Sequence, residues 1–455
     1  MKRERLPVFD QRRAGVLLHP TALRGGLGAA ARHFIDWLAA GGFSVWQVLP
    51  LGPVGADLSP YWSRADGAIN PHLIDPSEAA SPEERADEFA AFRREQALWL
   101  DDYALFEALA TAAAGRPWWQ WPPRLRDRDP AGLGIARDKL APAIERICRE
   151  QWVAALQWRE LRAYAHARGI RLFGDLPIYA APDSATVWSQ RAQFQLDEQG
   201  LPRAVAGVPP DYFSADGQLW GNPLYDWSLA QHDGFAFWRR RMAVTLAHFD
   251  VVRIDHFRGL CDYWSVPAGA GNARDGHWEQ GPGAAMLRAL QDDYPDLPLI
   301  AEDLGIITDA VVDLRRQFHL PGMRVMQFGF DGQGNNPHLP HQYERDTVAY
   351  SGTHDNDTTL GWYRSLDEAT RWRVHTYLRA DGAAMPEALL RAVLNSVAPL
   401  AILPMQDLLA LGGEARFNTP GTVSGNWTWR LHDGALTAGL AQHWRELNQV
   451  CGRTL

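Results

Sequence analysis

Lysine is almost missing from this 455-residue chain: Lys2 and Lys139 are the only two, so arginine carries nearly all the basic charge. No Gly-Lys-Ser/Thr loop is available to cradle a nucleotide's phosphates, and neither lysine ends an apolar strand where a pyridoxal Schiff base would form. Cysteine is as sparse. Cys148, Cys261 and Cys451 match no metal-ligand spacing and leave an odd thiol if two pair, which points to a reducing cytoplasm. Long apolar runs are absent too. The charged start, Met1 to Arg13, is followed only by Val16-Leu17-Leu18, too short for a signal-peptide core or a membrane span, so neither export nor membrane insertion is expected. A net charge of −9 without a long basic run lacks the electrostatic footprint of a nucleic-acid binder and suits a neutral substrate.

What is present is ample core material. Hydrophobic residues make up 46% and charged residues 22%, as in a globular protein. Eight short apolar runs recur: 14–19, 45–50, 170–175, 251–255, 299–303, 323–328, 347–351 and 400–405. Nearly continuous apolar strands suit a parallel sheet buried on both faces, and most intervals between them are long enough for a helix. Ala30 to Ala40 reads as one such helix, with Phe34, Trp37 and Leu38 on its buried face and Gly41-Gly42 as its stop. Thr308 to Phe318 reads as another, with Thr308 as its cap and Val311, Val312, Leu314 and Phe318 packing inward. The expected fold is a single elaborated (β/α)8 TIM barrel over residues 1–455. Two intervals exceed a simple crossover and are assigned to insertions: about 52–169, mostly helical, and 178–249, which contains an aromatic and proline-rich shaped loop at 205–227. Gly26 to Ala31 matches a dinucleotide-binding pattern, but it lies beyond the first strand, and no acid ends the second strand to bind ribose; a plain turn is the better reading.

In a parallel barrel the carboxyl ends of the strands converge on one mouth. Four such ends carry acids: Asp175, Asp255, Glu302-Asp303 and, after the seventh strand, Asp355 and Asp357. A lone strand-end acid more often caps a helix or pairs with arginine; four in barrel order outweigh that reading. Retaining hydrolysis of a glycosidic bond needs a carboxylate nucleophile and a carboxylic acid about 5 Å apart. Arg253, two residues before Asp255, would hold that carboxylate ionised, whereas burial and neighbouring acids would raise the proton affinity of Glu302.

The strings VVRIDHFRG at 251–259, AEDLG at 301–305 and GTHDNDTTLGWY at 352–363 resemble the active-site segments of glycoside hydrolase family 77, the amylomaltases and disproportionating enzymes. GVPPDYFSADGQLWGNPLYDW, ending at 227, is similar to that family's own loop. LLHPT, SPY at 59–61, GDLPIY at 174–179 and PMQDLLALGGEARFNTPG, ending at 421, extend the likeness over nearly the whole chain. The resemblance implies a 4-alpha-glucanotransferase, a hexosyltransferase of maltodextrin metabolism that takes α-1,4-glucans as donor and acceptor without cofactor or metal. It implies Asp255 as nucleophile, Glu302 as general acid/base and Asp355 as the stabilising third carboxylate. Arg253 and His354 would surround the nucleophile, Tyr61 would stack on the reacting sugar, and Asp175 would bind its far hydroxyls. Ser59, Asp331 and Asn418 would line neighbouring positions, and Tyr212, Phe213 and Trp220 would present flat faces to sugar rings.

Two departures stand in the donor region: Trp62 where the family commonly has glutamine, and Ile69 where it has glycine. The short start implies no extra N-terminal binding domain. Trp118, Trp119 and Trp121 read either as packing residues or as a second glucan site. Two other readings remain open on the residues alone: an α-glucan hydrolase, since water could replace the acceptor, and a non-catalytic glucan-binding protein. A metal-dependent barrel hydrolase fits less well, because the first strand ends Leu18-His19-Pro20 without a His-x-His ligand pair.

Overall fold

The computed structural model describes residues 7–210, 215–422 and 424–454. Eight strands overlap the eight apolar runs: β1 (Arg13–Leu17), β2 (Val45–Gln47), β3 (Arg171–Leu176), β4 (Val251–Ile254), β5 (Leu299–Ala301), β6 (Gly322–Val325), β7 (Thr347–Tyr350) and β8 (Leu400–Pro404). They form one parallel sheet in the order β6-β7-β8-β1-β2-β3-β4-β5. The Ala301 N–H donates to Pro321 O at 2.8 Å beside the start of β6, which brings the two edges together into a nearly closed TIM barrel.

Alternation along each strand divides the core in two. One set, including Leu17, Val45, Phe173, Val251, Ile300, Met323, Val325, Val348, Tyr350 and Ile402, packs together inside the barrel. Val8 and Phe9 join this inner core beside the strand starts, and Phe417 and Trp427 join it beside the strand ends. The other set, among it Val16, Trp46, Leu172, Val252 and Leu299, packs outward against the helices.

The helix Ala29–Ala40 buries Phe34, Trp37 and Leu38, and Gly42 follows with φ 72°. A Cβ on Gly28 would collide with Asp75, so the glycines of the dinucleotide-like pattern permit close chain packing. The helix Asp309–Gln317 forms as expected with Val311, Leu314 and Phe318 buried and Val312 half-buried. The expected Thr308 cap is corrected: its backbone is extended, as at an N-cap, but its side chain caps no N–H.

Between β2 and β3 the chain is largely helical, led by the 37-residue helix Pro130–His166, which packs on Ala97–Ala112. Trp118 and Trp121 are buried there, with indole N–H groups donating to Pro182 O and Arg116 O, which decides for packing at these two positions. The shaped loop expected at 205–227 includes regular strand among its described residues. Ala204–Val208 and Gln218–Pro223 pair antiparallel and extend into a four-stranded sheet with Asp262–Pro267 and His277–Gln280, which follow β4. Most of its positions are half-buried or exposed, and except for the apolar Ala204–Val208 its strands mix polar residues among apolar ones, unlike the barrel strands. Among the described residues no helix is long and apolar enough to cross a membrane.

Candidate active site

Asp175, Arg253, Asp255 and Glu302 meet at the ends of three adjacent strands, β3, β4 and β5. The Arg253 side chain is 5% exposed, and its guanidinium bridges two carboxylates: Nη1 to Asp175 Oδ2 at 2.6 Å and Nη2 to Asp255 Oδ1 at 2.8 Å. Tyr61 donates its hydroxyl to the same Asp175 oxygen at 2.6 Å. Asp175 Oδ1 is buried and has no hydrogen-bond partner among the described residues. Burial pushes the Asp175 carboxyl up while Arg253 opposes the shift. The Tyr61 hydroxyl is also pushed up, first by burial and then by Asp175.

Glu302 is held from the backbone. Oε2 accepts from the His256 N–H at 2.7 Å and Oε1 from the Leu304 N–H at 3.1 Å. Burial pushes its carboxyl up to about 8; Arg253 pulls it down, and Asp255 and Asp303 raise it further. At neutral pH Glu302 is therefore mostly protonated, ready to give up a proton, while Asp255 lies against a guanidinium. Asp303 is turned away into a buried cluster with Arg315 and Arg324 and accepts from the Met323 N–H, which fixes the start of β6.

The third carboxylate comes from the turn after β7. Asp407, fully buried, accepts from Ser351 Oγ and from both the N–H and hydroxyl of Thr359, which brackets this turn from either side. Gln327 donates to Asp357 O at 3.0 Å. The Asp355 side chain is 42% exposed at the mouth, accepting from Asn418 Nδ2 at 2.6 Å and lying 3.3 Å from His354 Nε2. Arg416, which sequence reasoning missed, ties this corner by donating to Asp355 O at 2.6 Å and Asn418 O at 2.7 Å. An aromatic wall stands beside it. Tyr61 stacks on His354 at 5.2 Å, and Trp427 lies 6.0 Å from each. Trp427 is a second residue missed by the sequence reading, which had no cue beyond one more tryptophan.

Trp220, on the Gln218–Pro223 strand, meets the His256 ring edge-on at 4.8 Å. Tyr212 and Phe213 lie outside the described residues. Ser59 is half-buried next to Tyr61, and its carbonyl accepts the Trp62 N–H. Asp331 is exposed after β6 and accepts from the Gln333 N–H. Among the described residues neither Ser59 nor Asp331 bonds to the three carboxylates.

The Tyr61 segment is positioned by the long inserted helix. Gln151 clamps the backbone of Ile69 by two hydrogen bonds of 2.9 and 2.8 Å, and Gln157 does the same to Asp75. Ile69 is only 2% exposed, so that departure lies in the core. Trp62 is half-buried and faces Gly221 of the neighbouring sheet, where an added Cβ would lie 3.8 Å from the indole. Among the described residues no group of three or more His, Cys, Asp or Glu side chains is arranged to hold a metal ion.

A family model described as 4-alpha-glucanotransferase, glycoside hydrolase 77, matches residues 18–83 and 77–437. A 4-alpha-glucanotransferase from Thermus thermophilus is 46% identical, with 93% of this chain and 95% of the relative covered. One from Synechocystis is 43% identical over 98% and 99% of the two chains. Among solved structures, an amylomaltase from Streptococcus agalactiae in complex with acarbose superimposes with a TM-score of 0.93 at 33% identity, covering 98% of this chain and all of that one.

Proposed function

Because this chain belongs to the 4-alpha-glucanotransferase family, glycoside hydrolase 77, we propose that it moves α-1,4-glucan segments between maltodextrin chains by double displacement on Asp255, Glu302 and Asp355. The protonated Glu302 gives its proton to the glycosidic oxygen while the Asp255 carboxylate attacks the anomeric carbon, and the reducing-end fragment leaves. Asp355 stabilises the positive charge that develops on the sugar ring. The ionised Glu302 then takes the proton from the 4-hydroxyl of an incoming glucan, which attacks the glucosyl-enzyme and restores the α-linkage. Arg253, 2.8 Å from Asp255, aims the attacking carboxylate. Tyr61, His354 and Asp175 hold the reacting sugar, with the unpartnered Asp175 oxygen accepting from its hydroxyls. Ser59, Asp331 and Asn418 line the neighbouring positions, Trp220 helps exclude water, and Tyr212 and Phe213 are carried over from the family's loop as aromatic faces for sugar rings.

The observation that carries this reading is the pairing of a carboxyl held up to about 8 with a carboxylate 2.8 Å from a buried guanidinium, at the ends of adjacent strands. Two environments push two acids toward opposite roles. We take the whole chain as one elaborated barrel whose insertions shape the glucan cleft. Three free thiols support a cytoplasmic location, and the α-1,4-glucan substrates of its family support a place in maltodextrin or glycogen metabolism.

Incubation with maltotriose, followed by chromatography, tests the proposal with Asp255→Asn as control. A ladder of longer maltodextrins plus glucose, absent from the variant, is expected. Glucose and maltose without longer chains would make the chain a hydrolase, and no products would return it to a glucan-binding protein.

A further inference from the structure

His256 follows Asp255 directly and takes no part in the chemistry above. Its backbone is left-handed, at φ 49° and ψ 50°, a region that side-chain-bearing residues seldom occupy unless their surroundings hold them there. That turn points the His256 N–H at Glu302 Oε2, 2.7 Å away. The imidazole meets Trp220 edge-on at 4.8 Å, and Trp220 lies against Tyr179 at 6.2 Å. Gly259 leaves space on another side, since a Cβ there would sit 3.2 Å from His256 Cδ2 and 2.7 Å from Ile178 Cδ1.

We propose that His256 is a positioning residue: Trp220 holds its ring, the held ring preserves the left-handed turn, and the turn aims Glu302 at the glycosidic oxygen. The antiparallel sheet over the acceptor side and the proton donor then form one mechanical unit. This rests on the reading of Glu302 as general acid/base.

Charge does not explain the arrangement. Burial holds the imidazole down to about 4, with Asp255 and Asp262 opposing and Arg258 and Arg253 adding to the shift, so the ring is neutral at neutral pH. The charged groups facing Glu302 are Arg253 and Asp255 from the end of β4 and Asp303 beside it. His256 contributes geometry and one N–H.

The test compares two donors. Maltotriose needs a proton on its leaving oxygen. In α-maltosyl fluoride the C–F bond breaks as Asp255 attacks, and fluoride leaves with the electron pair without acid help. His256→Ala is expected to lower kcat/KM for maltotriose about tenfold or more while changing that for the fluoride less than about threefold. His256→Asn is expected to recover much of the loss, because asparagine adopts the left-handed conformation readily. Equal losses on both donors, no loss on maltotriose, or failure of asparagine to recover would overturn the assignment. Glu302→Gln separates the two levels. If it loses both donors equally, the acid reading itself falls. If it shows the donor-dependent loss and His256→Ala does not, only the positioning role falls.

Discussion

The carboxyl of Glu302 sets a measurable pH limit on this protein. The quantity kcat/KM follows the ionisation of the free enzyme, which is the state the structure describes. With Glu302 pushed up to about 8, mainly by burial, about nine-tenths of the molecules carry the proton at pH 7 and about one-tenth at pH 9. The initial-rate kcat/KM for maltotriose should therefore fall about tenfold between those pH values, and the limb should vanish in Glu302→Gln, whose residual rate is flat. Stability should respond in the same window. The folded carboxyl binds its proton more tightly than the unfolded one, so its contribution is fully present below about pH 4.5 and is lost as pH rises through about 8. The shift of about 3.5 units corresponds to about 5 kcal/mol. In urea denaturation, Glu302→Gln should gain about 4 kcal/mol relative to the unmodified protein between pH 5 and pH 8.5. An alkaline limb below pH 6, no limb at all, or a stability difference that moves the other way would refute the assignment of a high proton affinity to Glu302.

Other consequences are as direct. Asn418→Ala removes the 2.6 Å donor to Asp355 and should lower kcat about 10- to 100-fold with little change in KM, as expected for a bond to a charged group that matters most in the transition state. A raised KM at unchanged kcat would show that Asn418 serves ground-state binding. Arg453 is fully buried and donates to the carbonyls of Leu394, Arg13, Pro399, Ser396 and Ala398 beside the start of the barrel. Arg453→Met should cost about 3 kcal/mol in urea denaturation, because the carbonyls lose their donors, yet leave kcat of the folded enzyme unchanged. Chelation with EDTA should leave transfer activity intact; loss restored by added zinc would revive metal-dependent chemistry.

The barrel was legible for a physical reason. A strand buried on both faces must be apolar along its length, so each of the eight strands stands out as a short hydrophobic run, and the acids closing these runs fall at the mouth once the strands are parallel. The Thr308 cap shows the limit of such local rules, since an extended backbone at the right position did not bring its hydroxyl onto an N–H. The antiparallel sheet over the mouth escaped because half-exposed strands that mix polar and apolar residues carry weaker patterning than buried ones.

What the sequence alone determined is the kind of fold, the order of its strands and the carboxylates that close them, because these follow from local composition and period. What only the tertiary structure decided is how those groups are held. Trp427 meets Tyr61 across more than 360 residues of chain, Arg416 secures Asp355 from another strand's end, and Gln151 clamps Ile69 from the middle of a long helix. Such contacts leave no period or motif behind. They depend on which loops share a mouth, and that is settled when the barrel closes.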